Sequence, residues 1–90
     1  MLNGAQVSQN YPNPFRGETN IAYSLTVPGR IVIEVFDVLG RKIETLADGW
    51  QVPGLYSVRF EANGLPPGVY LLRFSDGRFF QSKKMTMLGG

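Results

Sequence analysis

The run Arg30-Ile31-Val32-Ile33-Glu34-Val35-Phe36-Asp37 decides how the chain folds. Side chains on an extended backbone alternate with a period of two, so Ile31, Ile33 and Val35 fall on one side and Val32, Glu34 and Phe36 on the other. Turn residues bound the run, with Pro28-Gly29 before it and Leu39-Gly40 after it. Proline presets φ and glycine permits positive φ, so the chain reverses at both ends.

The same pattern recurs on either side. Residues 19–25 align Ile21, Tyr23 and Leu25 against Asn20, Ala22 and Ser24. Residues 55–61 align Tyr56, Val58 and Phe60 against Ser57 and Arg59, and residues 69–75 align Tyr70, Leu72 and Phe74. A shorter run, 42–47, sets Ile43 against Glu44, and Asp48-Gly49, Pro53-Gly54, Asn63-Gly64 and Pro66-Pro67-Gly68 read as turns. No window sustains the i, i+3, i+4, i+7 stripe of a helix. The expected fold is all-β: an antiparallel immunoglobulin-like β-sandwich of roughly six or seven short strands with essentially no helix. An open barrel is the structural alternative.

Between the last two strands lies Ser75-Asp76-Gly77-Arg78, which predicts a two-residue type I′ turn. Counting outward from it sets Phe74 opposite Phe79, Arg73 opposite Phe80 and Lys83 opposite Tyr70. The last pairing puts a cation on a face that wants burial, which predicts a bulge or an edge position near Ser82.

At 90 residues, 43% hydrophobic and 18% charged, the chain is one small domain with one core. It has no Cys and no His, which excludes disulfides, thiolate metal sites and imidazole catalysis. The net charge of +2 is spread along the chain, so no nucleic-acid partner is expected. The first residues lack the basic start, apolar stretch and cleavage site of a signal peptide, and no run approaches transmembrane length. Met1 reads as an added start on an excised module.

Three segments invite a functional reading. In Gln9-Asn10-Tyr11-Pro12-Asn13-Pro14-Phe15, two prolines one residue apart deny amide donors to any ladder. The segment is either a lead-in laying Tyr11 and Phe15 across one end of the sandwich, or a recognition epitope. Asp37-Val38-Leu39-Gly40-Arg41 reads as a hairpin turn rather than an anion cradle, with Asp37 accepting turn amides, Leu39 tucked under and Gly40 at positive φ. Trp50, between two turns, could offer a sugar a stacking surface. The serines lack a base and the carboxylates are scattered, so no catalytic residues, cofactor or metal site are expected, and the chain is not read as an enzyme.

Taken in order, residues 9–15, then Thr19-x-Ile21-x-Tyr23-x-Leu25, Val35-Phe36-Asp37-x-Leu39-Gly40-Arg41, Gly54-x-Tyr56, Gly68-Val69-Tyr70 and finally Lys84-Met85 resemble the C-terminal sorting domain of the type IX secretion system of Bacteroidetes and relatives. They are similar, too, to the immunoglobulin-like domain of flagellar hook-capping proteins. The resemblance spans 9–88, leaving 1–8 as a linker or remnant and 89–90 as a tail. It implies a non-catalytic signal that directs an N-terminally fused cargo through the periplasm to an outer-membrane translocon, where a sortase-like peptidase commonly removes it and attaches the cargo to the surface. The implied localisation is secreted or cell-surface. By resemblance, Gly68, Tyr70, Lys83, Lys84 and Met85 are tied to recognition, whereas Asn10, Tyr11, Pro12, Asn13, Pro14, Phe15, Asp37, Gly40 and Arg41 are motif positions with a structural look. A carbohydrate- or surface-binding module, with Trp50 as its contact, and a structural assembly domain are the alternatives. The chain ends Met87-Leu88-Gly89-Gly90, whereas family members usually end on a basic residue.

Overall fold

Alternating apolar residues fold here as seven strands. The computed structural model describes residues 4–89 and orders them as β1 (Ala5–Val7), β2 (Glu18–Leu25), β3 (Gly29–Asp37), β4 (Lys42–Gln51), β5 (Gly54–Glu61), β6 (Gly68–Ser75) and β7 (Phe80–Met87), with no helix among the described residues. Residues 1–3 and 90, and with them parts of the expected linker or remnant and of the tail, lie outside the described residues. The strands form two antiparallel sheets, β1-β2-β5 and β4-β3-β6-β7. The chain changes sheet between β2 and β3, between β4 and β5, and between β5 and β6. Such crossings give a stacked sandwich rather than a barrel.

The inward faces are those the alternation marks. Ile21, Tyr23 and Leu25 of β2, Ile31, Ile33 and Val35 of β3, and Tyr70, Leu72 and Phe74 of β6 are buried, and Met85 and Met87 of β7 join them. Tyr23 stacks on Tyr56 at 5.2 Å between ring centres and tilts against Phe74 at 5.3 Å. Phe60 meets Phe15 and Tyr70 edge-on at 6.1 and 6.3 Å. Each such pair adds about 0.5–1.5 kcal/mol beyond its buried area, which matters in a domain this small.

Three expectations need correction. Asp48-Gly49 is no turn, because β4 runs through it to Gln51, with Gly49 opposite Ile31 and Trp50 opposite Arg30. The longer pairing is supported by Arg30, whose Nε and guanidinium NH₂ donate to Asp48 Oδ1 at 3.1 and 2.8 Å. Trp50 is therefore a strand residue, not a loop residue. The second correction concerns the last hairpin. Ser75 pairs with Phe80 across a four-residue loop, 76–79, in which Asp76 Oδ1 accepts from the amides of Arg78 and Phe79. Asp76 acts as the first residue of the turn, and this moves the register by two. Arg73 faces Ser82, Phe74 faces Gln81, and Tyr70 faces Met85. The Phe74–Phe79 pairing is not formed, and the β6–β7 ladder runs without the bulge that Lys83 opposite Tyr70 would have required. Arg73 still covers the Phe80 ring, 4.4 Å from its centre, but from a diagonal position.

The third correction is local. Leu39 is three-quarters exposed rather than tucked under its turn. Within residues 1–8, read as a linker or remnant, Ala5 and Val7 are buried where β1 pairs with β2.

Candidate functional site

Residues 9–15 do not cap an end of the sandwich; they run along its side and tie the two sheets together. Tyr11 exchanges backbone hydrogen bonds with Asn20 of β2, at 2.8 and 3.0 Å. A few residues on, Phe15 donates its amide to Thr86 O at 2.9 Å and accepts from the Leu88 amide at 2.8 Å. Side chains complete the seam. Asn13 Oδ1 accepts from the Thr86 amide at 3.0 Å, and Gln9 Nε2 donates to Lys84 O at 2.8 Å.

A small buried polar cluster fixes that path. Asn10 Nδ2 donates to Pro12 O and to Thr19 Oγ1, both at 3.1 Å, and the Thr19 hydroxyl donates to Pro12 O at 2.7 Å. Pro12 has no N–H to offer a ladder, and its carbonyl takes both side-chain donors. Asn10 and Thr19 are buried, and Phe15 drops into the core, whereas Tyr11 stands 80% exposed. The expectation that Tyr11 lies across the sandwich is thus overturned: its backbone is held while its ring faces solvent.

The other motif residues form two turns at the end of the sandwich where β3 meets β6. Asp37 Oδ1 accepts from the amides of Leu39 and Arg41 at 2.9 and 3.0 Å, and Oδ2 accepts from Arg41 Nε at 2.8 Å. The Arg41 amide, ahead of the opposing effect of desolvation, holds this carboxyl below its usual range, aided by the Arg41 side chain and the Leu39 amide. Gly40 takes φ +83°, which a side chain would resist. Opposite, Tyr70 is buried and donates its hydroxyl to Pro66 O at 2.5 Å. The same device recurs at Pro53-Gly54-Leu55-Tyr56, where the Tyr56 hydroxyl reaches Val52 O at 2.5 Å. Asp37 pairs with Tyr70 in the sheet, so the two turns share a cavity of about 560 Å³ whose wall includes Asp37, Leu39, Arg41, Pro66, Gly68 and Tyr70.

The residues tied to recognition are therefore dispersed. Gly68 and Tyr70 belong to the turn end, Met85 is wholly buried, Lys83 points partly inward beside Leu72, and Lys84 is exposed on the outer face. An inward-facing lysine on an edge strand is a recognised guard against edge-to-edge aggregation. Trp50 is 71% exposed, also on an outer face.

What emerges is β7 as an edge strand with two unlike halves. In an antiparallel ladder alternate residues turn their backbone groups to the same side. Lys84 O, Thr86 and Leu88 meet residues 9–15 on the side away from β6, so Phe80 and Ser82 present their N–H and C=O groups on that side as well. Among the described residues nothing hydrogen-bonds to them there. Sequence reading missed this division, because the residues that close the edge, Gln9, Asn13 and Phe15, come from the opposite end of the chain, 75 positions away in the case of Gln9 and Lys84 and 73 in that of Asn13 and Thr86.

This β-sandwich thus has its turns pinned, one edge strand half closed, and six of its seven carboxylates committed to turns and surface ion pairs, Glu44 excepted. The chain belongs to the secretion system C-terminal sorting domain family, whose model matches residues 9–87. No curated protein gives a match. The domain is accordingly a sorting signal of type IX secretion, of a family that is in general non-catalytic, and it implies an N-terminal cargo and a secretion system.

Proposed function

We propose that the domain delivers its N-terminal cargo to an outer-membrane translocon that recognises it at the β7 edge, after which a sortase-like peptidase separates signal from cargo at the surface. One observation carries this reading: the outward backbone groups of Phe80 and Ser82 in β7 are open, while Lys84 O, Thr86 and Leu88 are closed by residues 9–15. An open strand offers main-chain affinity, and its alternate side chains offer specificity. In this reading Lys84 makes contact, and Gly68, Tyr70 and Met85 hold β6 and β7 in place without touching the partner. The family match supports the class of function; the edge geometry supports the mode.

The test is a reporter carrying a signal peptide and this chain at its C-terminus, expressed in a host with an active type IX system. The reporter should reach the surface or medium, and Lys84→Ala should lower the exported fraction without unfolding the domain, because Lys84 is exposed. A folded wild-type fusion retained in the periplasm would refute the reading.

A further inference from the structure

The net charge of +2 looks diffuse along the sequence, but folding and ion pairing concentrate it. Residues 73–84 hold four of the nine basic side chains and one of the seven acidic ones. That one, Asp76, is occupied by the amides of its own loop. Elsewhere most charges pair off: Arg30 pairs with Asp48, Arg41 with Asp37, Lys42 with Glu34, and Arg59 with both Glu18 and Glu61, which leaves Arg16 and Glu44, one of each sign, outside the ion pairs among the described residues. Among the described residues Arg73, Arg78, Lys83 and Lys84 join no ion pair. Arg73 and Arg78 instead lie over the exposed rings of Phe80 and Phe79, at 4.4 and 5.9 Å from their centres.

These cations flank the stretch whose backbone is open. We propose that the 80–84 edge accepts an extended, acidic segment of a partner protein as an added strand, its backbone pairing with Phe80, Ser82 and the amide of Lys84, whose carbonyl Gln9 already holds, and its carboxylates meeting Arg73, Arg78 and Lys84. The proposal rests on the sorting reading and names the chemistry of the partner at that same edge. A second copy of this chain does not fit, since antiparallel pairing of two such edges would face like charges. An anionic lipid surface would satisfy the cations but leave the strand's donors and acceptors unused.

The test uses the purified chain and a short peptide of alternating valine and aspartate, followed by amide NMR, with the valine–lysine peptide as counterpart. The acidic peptide should shift the amides of Phe80, Ser82 and Lys84 and slow hydrogen exchange at Ser82. Combining Arg73→Glu with Lys84→Glu should weaken it on the order of tenfold at low salt. Ser82→Pro removes a donor that faces away from β6, a substitution edge strands tolerate, and should abolish binding; the wild-type shift map keeps the test independent of how that variant folds. Equal binding of the lysine peptide, shifts confined to β4 or β5, or binding to phosphatidylglycerol vesicles in place of the peptide would overturn the proposal. Export of the wild-type fusion is scored separately, so a domain that sorts cargo without favouring the acidic peptide would refute this inference alone.

Discussion

Asn10→Ala tests whether the buried polar cluster is what holds residues 9–15 along β7. Asn10 is 2% exposed and donates from Nδ2 to Pro12 O and Thr19 Oγ1. In the variant, Thr19 still donates to Pro12 O, so that carbonyl keeps a partner. Gln9 Nε2 retains Lys84 O. The loss is then three neutral hydrogen bonds, the two from Nδ2 and the one that Oδ1 accepts from Gln9 Nε2 at 2.6 Å, at about 1 kcal/mol each, together with a small void, or about 3–4 kcal/mol in all. For a domain of this size the melting temperature should fall by roughly 12–30 °C. Denaturant unfolding measures the free energy, and hydrogen exchange locates it. The amides of Thr86 and Leu88, bonded to Asn13 and Phe15, should lose more protection than those in the middle of β3. A change under about 0.5 kcal/mol, the range of an ordinary surface substitution, with Thr86 and Leu88 still protected would refute the reasoning.

The Asp37 carboxyl, held below its ordinary 3.8 by turn amides, stabilises the turn above the unfolded value and ceases to do so as pH falls through the lower folded value. Its carboxyl carbon should titrate with a midpoint below 3.8 in step with the Leu39 and Arg41 amides, and a midpoint at or above 3.8 would contradict the geometry. Tyr70→Phe removes the hydroxyl bond to Pro66 O and should cost about 1 kcal/mol in denaturant unfolding with the fold intact; an unchanged midpoint would mean the bond is idle. Trp50→Ala, at a site 71% exposed, should alter stability by less than about 0.5 kcal/mol. Polysaccharide binding that vanishes with this variant would instead favour a sugar-binding module.

Much of the fold was legible because half-buried strands write their burial into a period of two. Ile31, Ile33 and Val35 had to face one way, and they do. What escaped were features set by partners distant in sequence. Ala5–Val7 is too short to show alternation and becomes a strand through β2. Asp48-Gly49 carries a turn signature, yet Arg30 and the ladder of β3 hold it extended. Asp76-Gly77 was rightly read as a turn, but Asp76 caps two amides from its first position, and that choice sets the register of β7. The site divides in the same way. Asp37 and Gly40 act within their own loop and were readable, whereas the half-closed β7 edge depends on Gln9, Asn13 and Phe15 returning from the opposite end of the chain.

The central claim, that the exposed part of β7 is the address, is tested most directly by the exported fraction of a reporter bearing this chain with Ser82→Pro. That substitution removes one outward donor and leaves Met85, Met87 and the seam with residues 9–15 in place. The account predicts a folded fusion that stays in the periplasm while the wild-type fusion reaches the surface. Export of the two to the same extent would contradict it.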